Sequence, residues 1–519
     1  MLNKLNLDKG LVNACFETAR QIAQDVTSFV DVRTTVSIER AVARLIGIDG
    51  VDDFDIPLPN VLVDHIVEKG GLANGVSYYL GNAILQTGKE PQRIAEMVSR
   101  GEIDLIALPR SSESNVRREM KELCLAGLAK IVAIKEARHD HRRQHGGQLP
   151  MIYVVIATGD VYEDVRHAEA AANYGADIIA VIRSTAQSLL DYVPYGPTTE
   201  GYGGTFATQM NFRIMRAALD DWFEKNGRYV RLSSFSSGLC MPEIALIGAL
   251  EGLDNMVNDA LYGILYRDIN IGRTLVDQKI SRMLTGFSGL VINTGEDNYL
   301  RTADAVRAAP SVVASHLINY HLALDAGLAE DQIGLGHSFE IDPSFPNSYL
   351  YEWAQAQLIR ELFPHCPIKY MPPTRHMNGN LFRTHACDTL FNLAGISTHQ
   401  GILLVGVPTE GIHTPHIQDR ILGLENVRYV FDSARSLGDE IYFRPDGIVQ
   451  SRAKEVLLSA NEILEKIKET GLFAAIEGGI FGDVQRGAED GRGKEGVILK
   501  GESYFNPLAE LIQGDNSWM

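Results

Sequence analysis

The sequence predicts an α/β protein: a (β/α)8 TIM barrel with an N-terminal helical accessory region and a C-terminal extension. Three observations point there. From Met151 onward, short β-branched runs alternate with amphipathic helical stretches eight times. The alternation takes roughly 290 residues, close to the roughly 250 that such a barrel needs. No G-x-G-x-x-G follows the first run, which disfavours an open, doubly wound sheet.

Residues 1–148 read as a helical region. In TTVSIERAVARLIGIDG the apolar residues Ile38, Ala41, Val42, Leu45 and Ile46 fall on one helical face, and Asp49-Gly50 stops it. IPLPNVLVDHI reads as a rigid connection before the next helix, and KEARHDHRRQHGGQLP as a charged linker. The barrel is expected over 149–447. Its runs are MIYVVIATG, DIIAVIRS, YVRLSSFSSG, ALYGILYRD, GLVINTGEDN, QIGLGHSFE, IKYMPP and GILLVGVPTEG. The helices between them carry their own signals. Phe206, Met210, Ile214, Met215, Leu219 and Trp222 share a face. Pro242 sits near a first turn, Gly327 follows a helix end, and Pro364 stops another. The last barrel helix is expected near Ile421–Leu437. Residues 448–519 then give one long helix and a glycine- and charge-rich extension expected to wrap another surface.

Composition narrows the functional classes. A formal net charge of -18 argues against nucleic acid or an anionic membrane as the main partner. No run of ~20 apolar residues marks a membrane span, and the N-terminus lacks a signal peptide's apolar core. The five cysteines are scattered, without C-x-x-C, so a disulfide framework and a zinc ribbon are disfavoured and a reducing cytoplasm is expected. His139, His141 and His145 look like metal ligands, but their charged setting favours solvated side chains; no metal is expected.

In a barrel of this kind the working residues sit at the C-terminal ends of the strands. Those positions hold Arg183 and Ser184, Ser236 and Ser237, and Tyr262 through Arg267. They continue with Glu296, Asp297 and Asn298, His337 and Glu340, Lys369 and Tyr370, and Thr409, Glu410 and His413. This polar, mixed-sign funnel with aromatics suits an anionic aromatic cofactor and a zwitterionic substrate: arginine and hydroxyls for phosphate, a tyrosine ring for stacking. Each residue also has a plainer role. Arginine can be a surface ion-pair partner, Ser236-Ser237-Gly238 a turn, Asp297-Asn298 a helix cap, and His337 a structural histidine.

Several long motifs then carry a resemblance. TTVSIERAVARLIGIDGVD, QSLLDYVPYGPTTEGYGGT, SSGLCMPEIA, DALYGILYRDIN, VINTGEDNYLRTADA, IKYMPPT and GLFAAIEGGIFGDV closely resemble the α (large) subunit of lysine 5,6-aminomutase, nearly end to end. The resemblance implies pyridoxal 5'-phosphate held in the barrel, with adenosylcobalamin on a smaller β subunit, in an α2β2 heterotetramer. It implies a radical 1,2-amino shift from C6 to C5 of D-lysine or L-β-lysine, in lysine degradation. Family members keep both the cobalt-ligand motif D-x-H-x-x-G and the Schiff-base lysine on the β subunit. Consistently, Asp64-His65 here is followed by Gly70-Gly71, the wrong spacing.

Carried over by motif, Arg183, Ser184, Thr185, Ser188 and Tyr192 contact the cofactor around its phosphate. Ser237 sits at the pyridine nitrogen, Tyr262 stacks on the ring, Arg267 supports its substituents and Asn298 approaches the phenolic oxygen. Asp297 and Lys369 orient the substrate, and no catalytic residue beyond these is expected in this chain. Two alternatives remain: an ornithine 4,5-aminomutase-like large subunit, in which the cobalamin domain is fused to the barrel, and a non-catalytic scaffold that binds pyridoxal phosphate.

Overall fold

The computed structural model describes residues 3–182, 185–201, 203–295, 305–338, 342 and 344–514. Eight parallel strands close into a barrel in sequence order. A separate short strand, β1 (Arg33–Thr35), precedes them. The barrel strands are β2 (Met151–Ile156), β3 (Ile178–Val181), β4 (Arg231–Phe235), β5 (Asn255–Val257), β6 (Val291–Gly295), β7 (Ile333–Ser338), β8 (Lys369–Met371) and β9 (Ile402–Leu404). Strand β9 pairs back onto β2, Met151 opposite Ile402, so no edge is left open. A last strand, β10 (Val497–Leu499), pairs antiparallel with β1, Arg33 opposite Leu499.

The N-terminal helices mount on the barrel through both apolar and ionic contacts. The helix Val36–Leu45 is buried over nearly its whole length, because Arg40 and Arg44 meet a partner there. That partner is the fully buried Glu243 of the helix Met241–Leu250: Arg44 Nε donates to its Oε2 at 2.9 Å, and Arg40 Nη1 lies 3.7 Å from Oε1. One apolar cluster joins Leu45, Leu80 and Met120 of the N-terminal helices to Ile152, Val154 and Ile244 of the barrel. A second joins Cys15, Ala19 and Ile22 to Leu317 and Leu358, and to Val456 of the C-terminal helix Ile448–Thr470.

Four expectations need correction. The run ALYGILYRD is not the fourth strand. That strand is Asn255–Val257, and Tyr262–Tyr266 forms a wide helical turn behind it. The burial of Ala260, Leu261, Ile264 and Leu265 has helical, not alternating, spacing. The charged stretch through His145 is not a linker but the end of a 33-residue helix, Glu113–His145. Its arginines bind the underside of the barrel: Arg138 reaches Asp220 at 2.6 Å and Arg142 reaches Asp254 at 2.8 Å. IPLPNVLVDHI is mostly helix, starting at Leu58 with Pro59 in the first turn. On the helix Gln209–Asn226 the buried stripe runs through Phe212, Met215, Leu219 and Trp222, while Met210 and Ile214 are only half-buried. Asn211 and Arg216 take the remaining buried positions; Arg216 donates to Val230 O. The last barrel helix spans Ile417–Ala434.

Candidate active site at the barrel mouth

Strand register decides which side chains reach the inside. Lys369 and Met371 on β8 point inward, whereas Tyr370 between them points to the helix Ser348–Leu362. Tyr153 on β2 also faces inward, its hydroxyl 3.2 Å from Ser233 Oγ on β4. At the C-terminal end of the strands the interior opens into a cavity of about 400 Å³. Ser188, Ser237, Tyr262, Lys369, Glu410 and His413 line it, so residues from five different strand ends meet in one place.

The loop after β3 is built to bring a hydroxyl in. Thr185–Leu189 forms a 3-10 turn, and Ser188 is 2 % exposed with no hydrogen-bond partner for its Oγ among the described residues. Leaving such a hydroxyl unpaired costs about 1–3 kcal/mol, so it is poised for a ligand acceptor. The turn packs directly on the loop after β4: Leu239 N–H donates to Ser188 O at 3.1 Å. A Cβ on Gly238 would lie 2.7 Å from Ser188 Cα, so only glycine permits this approach. Farther along, Gly203 and Gly204 bring bare backbone to the cavity wall.

Both loops are pinned from outside by one carboxylate. Asp191 receives Arg40 at 2.7 Å and Arg273 at 2.9 Å, and Arg273 also donates to Leu239 O at 2.7 Å. Burial opposes the charge on Asp191, but Arg273 and Arg40 outweigh it and hold the carboxyl down at about 2.

Ser237 is buried just beyond β4, and its Oγ accepts the Asp259 N–H at 2.9 Å. Its own proton is therefore available to an acceptor in the cavity. Tyr262 projects from the wide turn after β5; Arg267 stacks on its ring at 5.1 Å and donates to its hydroxyl at 2.9 Å. Lys369 is 8 % exposed, with Nζ 5.4 Å from the centroid of the Tyr153 ring.

Not every expected residue joins them. Tyr192 is 42 % exposed and is not among the lining residues, and Arg267 acts behind Tyr262 rather than at the cavity surface. Thr185 is placed only as the first residue of its turn. Arg183, Ser184, Glu296, Asp297, Asn298 and Glu340 lie outside the described residues. His337 faces outward: its Nε2 is 3.0 Å from buried Glu352, and its ring stacks on Tyr370, whose hydroxyl donates to the same carboxylate. It is a structural histidine, as is consistent with its burial. Ser236 is likewise structural, donating to Val257 O. His139 is exposed and His141 stacks on Tyr229; no group of three or more potential metal ligands occurs among the described residues.

Sequence reasoning missed Tyr153, which reads as core, and Arg420, which lies on a helix yet lines the cavity and donates to Val155 O. It also missed Asp388. This carboxyl is 2 % exposed behind the Val405–Val407 backbone, and neither oxygen has a partner among the described residues. Burial, reinforced by Glu410, pushes it up to about 8.

Comparison with known proteins agrees with this geometry. The family model described as the D-lysine 5,6-aminomutase TIM-barrel domain of alpha subunit matches residues 5–511. The lysine 5,6-aminomutase alpha subunit of Acetoanaerobium sticklandii is 53% identical, over 98% of this chain and 98% of that protein. The corresponding subunit of Fusobacterium nucleatum is 52% identical, over 99% of each chain. D-ornithine 4,5-aminomutase subunit beta of A. sticklandii is more distant, 28% identical over 69% of this chain and 50% of that protein. With a polar barrel mouth of this construction and near-full-length likeness to both alpha subunits, the chain belongs to the family of lysine 5,6-aminomutase alpha subunits.

Proposed function

We propose that this chain is the pyridoxal phosphate- and substrate-holding subunit of an aminomutase that moves the terminal amino group of D-lysine or L-β-lysine from C6 to C5. The observation that carries the reading is the convergence of Ser188, Ser237, Tyr262 and Lys369 on one cavity. Bound there, pyridoxal phosphate supplies a carrier for the substrate's amine, while adenosylcobalamin on a β subunit supplies the radical initiator.

The residues fit the cofactor. The unpaired Ser188 hydroxyl would donate to a phosphate oxygen, and Arg183, Ser184 and Thr185 on the same loop would add further phosphate contacts. Ser237, with one lone pair taken by Asp259 N–H, would donate a hydrogen bond to the pyridine nitrogen. A hydroxyl does not protonate that nitrogen, so the ring stays a weak electron sink, which suits radical rather than carbanion chemistry. Tyr262 would stack on the ring, with its tilt fixed by Arg267, and Asn298 would approach the phenolic oxygen. Asp297 and Lys369 hold the substrate's ammonium and carboxylate.

We further propose a cytoplasmic α2β2 assembly, with the cobalt ligand and the Schiff-base lysine on the β subunit. Residues 1–148, 149–447 and 448–519 would be its accessory, barrel and extension units. Among the described residues no helix is long and apolar enough to cross a membrane.

The test is co-expression with the cobalamin-binding partner, addition of both cofactors, and anaerobic assay on D-lysine, L-β-lysine and D-ornithine. Turnover of either lysine supports the proposal. Turnover of ornithine alone favours the ornithine enzyme, and cofactor binding without turnover of any favours a scaffold.

A further inference from the structure

The glycine-rich C-terminal extension is more than a wrapping over an outer surface. Residues 485–493 run along the turn Tyr262–Tyr266 and the segment that follows it. Arg486 Nε donates to Ile264 O at 3.1 Å and its Nη2 to Leu265 O at 2.9 Å, capping two carbonyls of that turn. The same guanidinium lies 3.3 Å from Asp268 Oδ1. Asp268 has φ +54°, an uncommon backbone state for a residue with a side chain. Its carbonyl accepts Arg492 N–H at 2.8 Å, and Asn270 N–H donates back to Arg492 O at 3.0 Å, a small parallel bridge. Asn270 Nδ2 binds Ala488 O and Asp490 O at 3.0 and 2.8 Å. A Cβ on Gly491 would lie 2.7 Å from Asn270 N, so the strap lies in close backbone contact here.

What this strap touches is the base of two functional side chains. Tyr262 and Arg267 flank the capped carbonyls, and their mutual contact sets the ring that faces the cavity. Wide turns of this kind are energetically marginal and recur at functional sites, so an external cap has something to stabilise.

We infer that Arg486 is a positioning residue for the Tyr262–Arg267 pair, acting through the carbonyls of Ile264 and Leu265. The inference rests on the reading that Tyr262 faces the cofactor. Arg486 is partly exposed, its side chain 30 % accessible, so its replacement leaves the core intact. The comparison variant is at Arg307, which pairs with Asp483 of the same extension at the surface.

Full-length wild type, Arg486→Ala, Arg486→Lys and Arg307→Ala, each co-expressed with the β subunit, are titrated with pyridoxal phosphate, and amide hydrogen exchange is followed over residues 262–268. Arg486→Ala is expected to weaken binding about tenfold, the effect of losing charge-assisted hydrogen bonds. It should also speed exchange in 262–268, with partial rescue by Arg486→Lys. Arg307→Ala should stay within about twofold on both counts. Wild-type behaviour of Arg486→Ala overturns the inference, and so does an equal loss in Arg307→Ala, which would make the strap a general brace. If the wild type itself takes up no pyridoxal phosphate, the cofactor reading falls; exchange over 262–268 still decides whether Arg486 holds the turn.

Discussion

Replacing Asp388 by asparagine should make the protein more stable as the pH rises. The carboxyl sits behind the backbone of Gly406 at 2 % exposure, with no hydrogen-bond partner among the described residues. Burial and then Glu410 raise it to about 8, so the folded protein holds the neutral acid at pH 7. In the unfolded chain the same group titrates near 3.9. The folded state therefore binds one more proton than the unfolded state between about pH 4 and pH 8. Stability is greatest at the acid end and is lost as the pH climbs toward the folded value. At about 1.36 kcal/mol per pH unit, the loss between pH 4 and pH 7 is about 4 kcal/mol. For a chain of this length that is about 4 °C in Tm. Asp388→Asn keeps the shape and the neutral charge but removes the titration. Thermal unfolding of both proteins at pH 5, 6, 7 and 8 should show the variant pulling ahead at each step. Parallel profiles would mean that Asp388 is ionised in the folded protein, and the reasoning would fail.

Three further outcomes are expected. Lys369→Ala removes a buried ammonium from the cavity; losing a charged hydrogen bond of about 1.5–3 kcal/mol should raise KM about 10- to 150-fold in steady-state assays of the assembled enzyme, more than it lowers kcat. Gly238→Ala drives a methyl group into Ser188 Cα and should destabilise by about 1–3 kcal/mol while weakening pyridoxal phosphate uptake, both measurable on the same preparation. Burial pushes the thiols of Cys15 up to about 11 and of Cys124 and Cys366 up to about 12, and Cys240 well above its usual value. Thiol-reactive dye at pH 8 should therefore label at most half-buried Cys387 quickly, with the other four following only on unfolding.

The barrel was legible because its alternation of short β-branched runs and amphipathic helices survives even where a strand is three residues long. The cavity was legible for a related reason: strand ends predict position, and Ser237, Tyr262, Lys369, Glu410 and His413 do meet there, while Ser188 was reached only through the family resemblance. What the rule could not supply is the direction a side chain points. His337 ends its strand like the others, but register turns it outward onto Glu352. The run ALYGILYRD misled because its apolar stretch of seven residues fits either period until the partner strands are known. The end of the helix Glu113–His145 misled because its charges, read alone, look solvated, while Arg138 and Arg142 are paired with aspartates distant in sequence. Asp388 and the Arg486 contact left no local signal, since both depend on segments that meet only in the folded chain.

The pairing of Arg33–Thr35 with Val497–Leu499 has a consequence for how the protein is made. At a growth rate of ~5–20 residues per second, the first of these strands waits roughly 20–90 seconds on the ribosome for the second. The turn that carries Tyr262 waits about half as long for its clamp, Arg486. An incomplete chain thus lacks the strap beneath the turn that aims Tyr262 into the cavity until residues 485–493 have emerged.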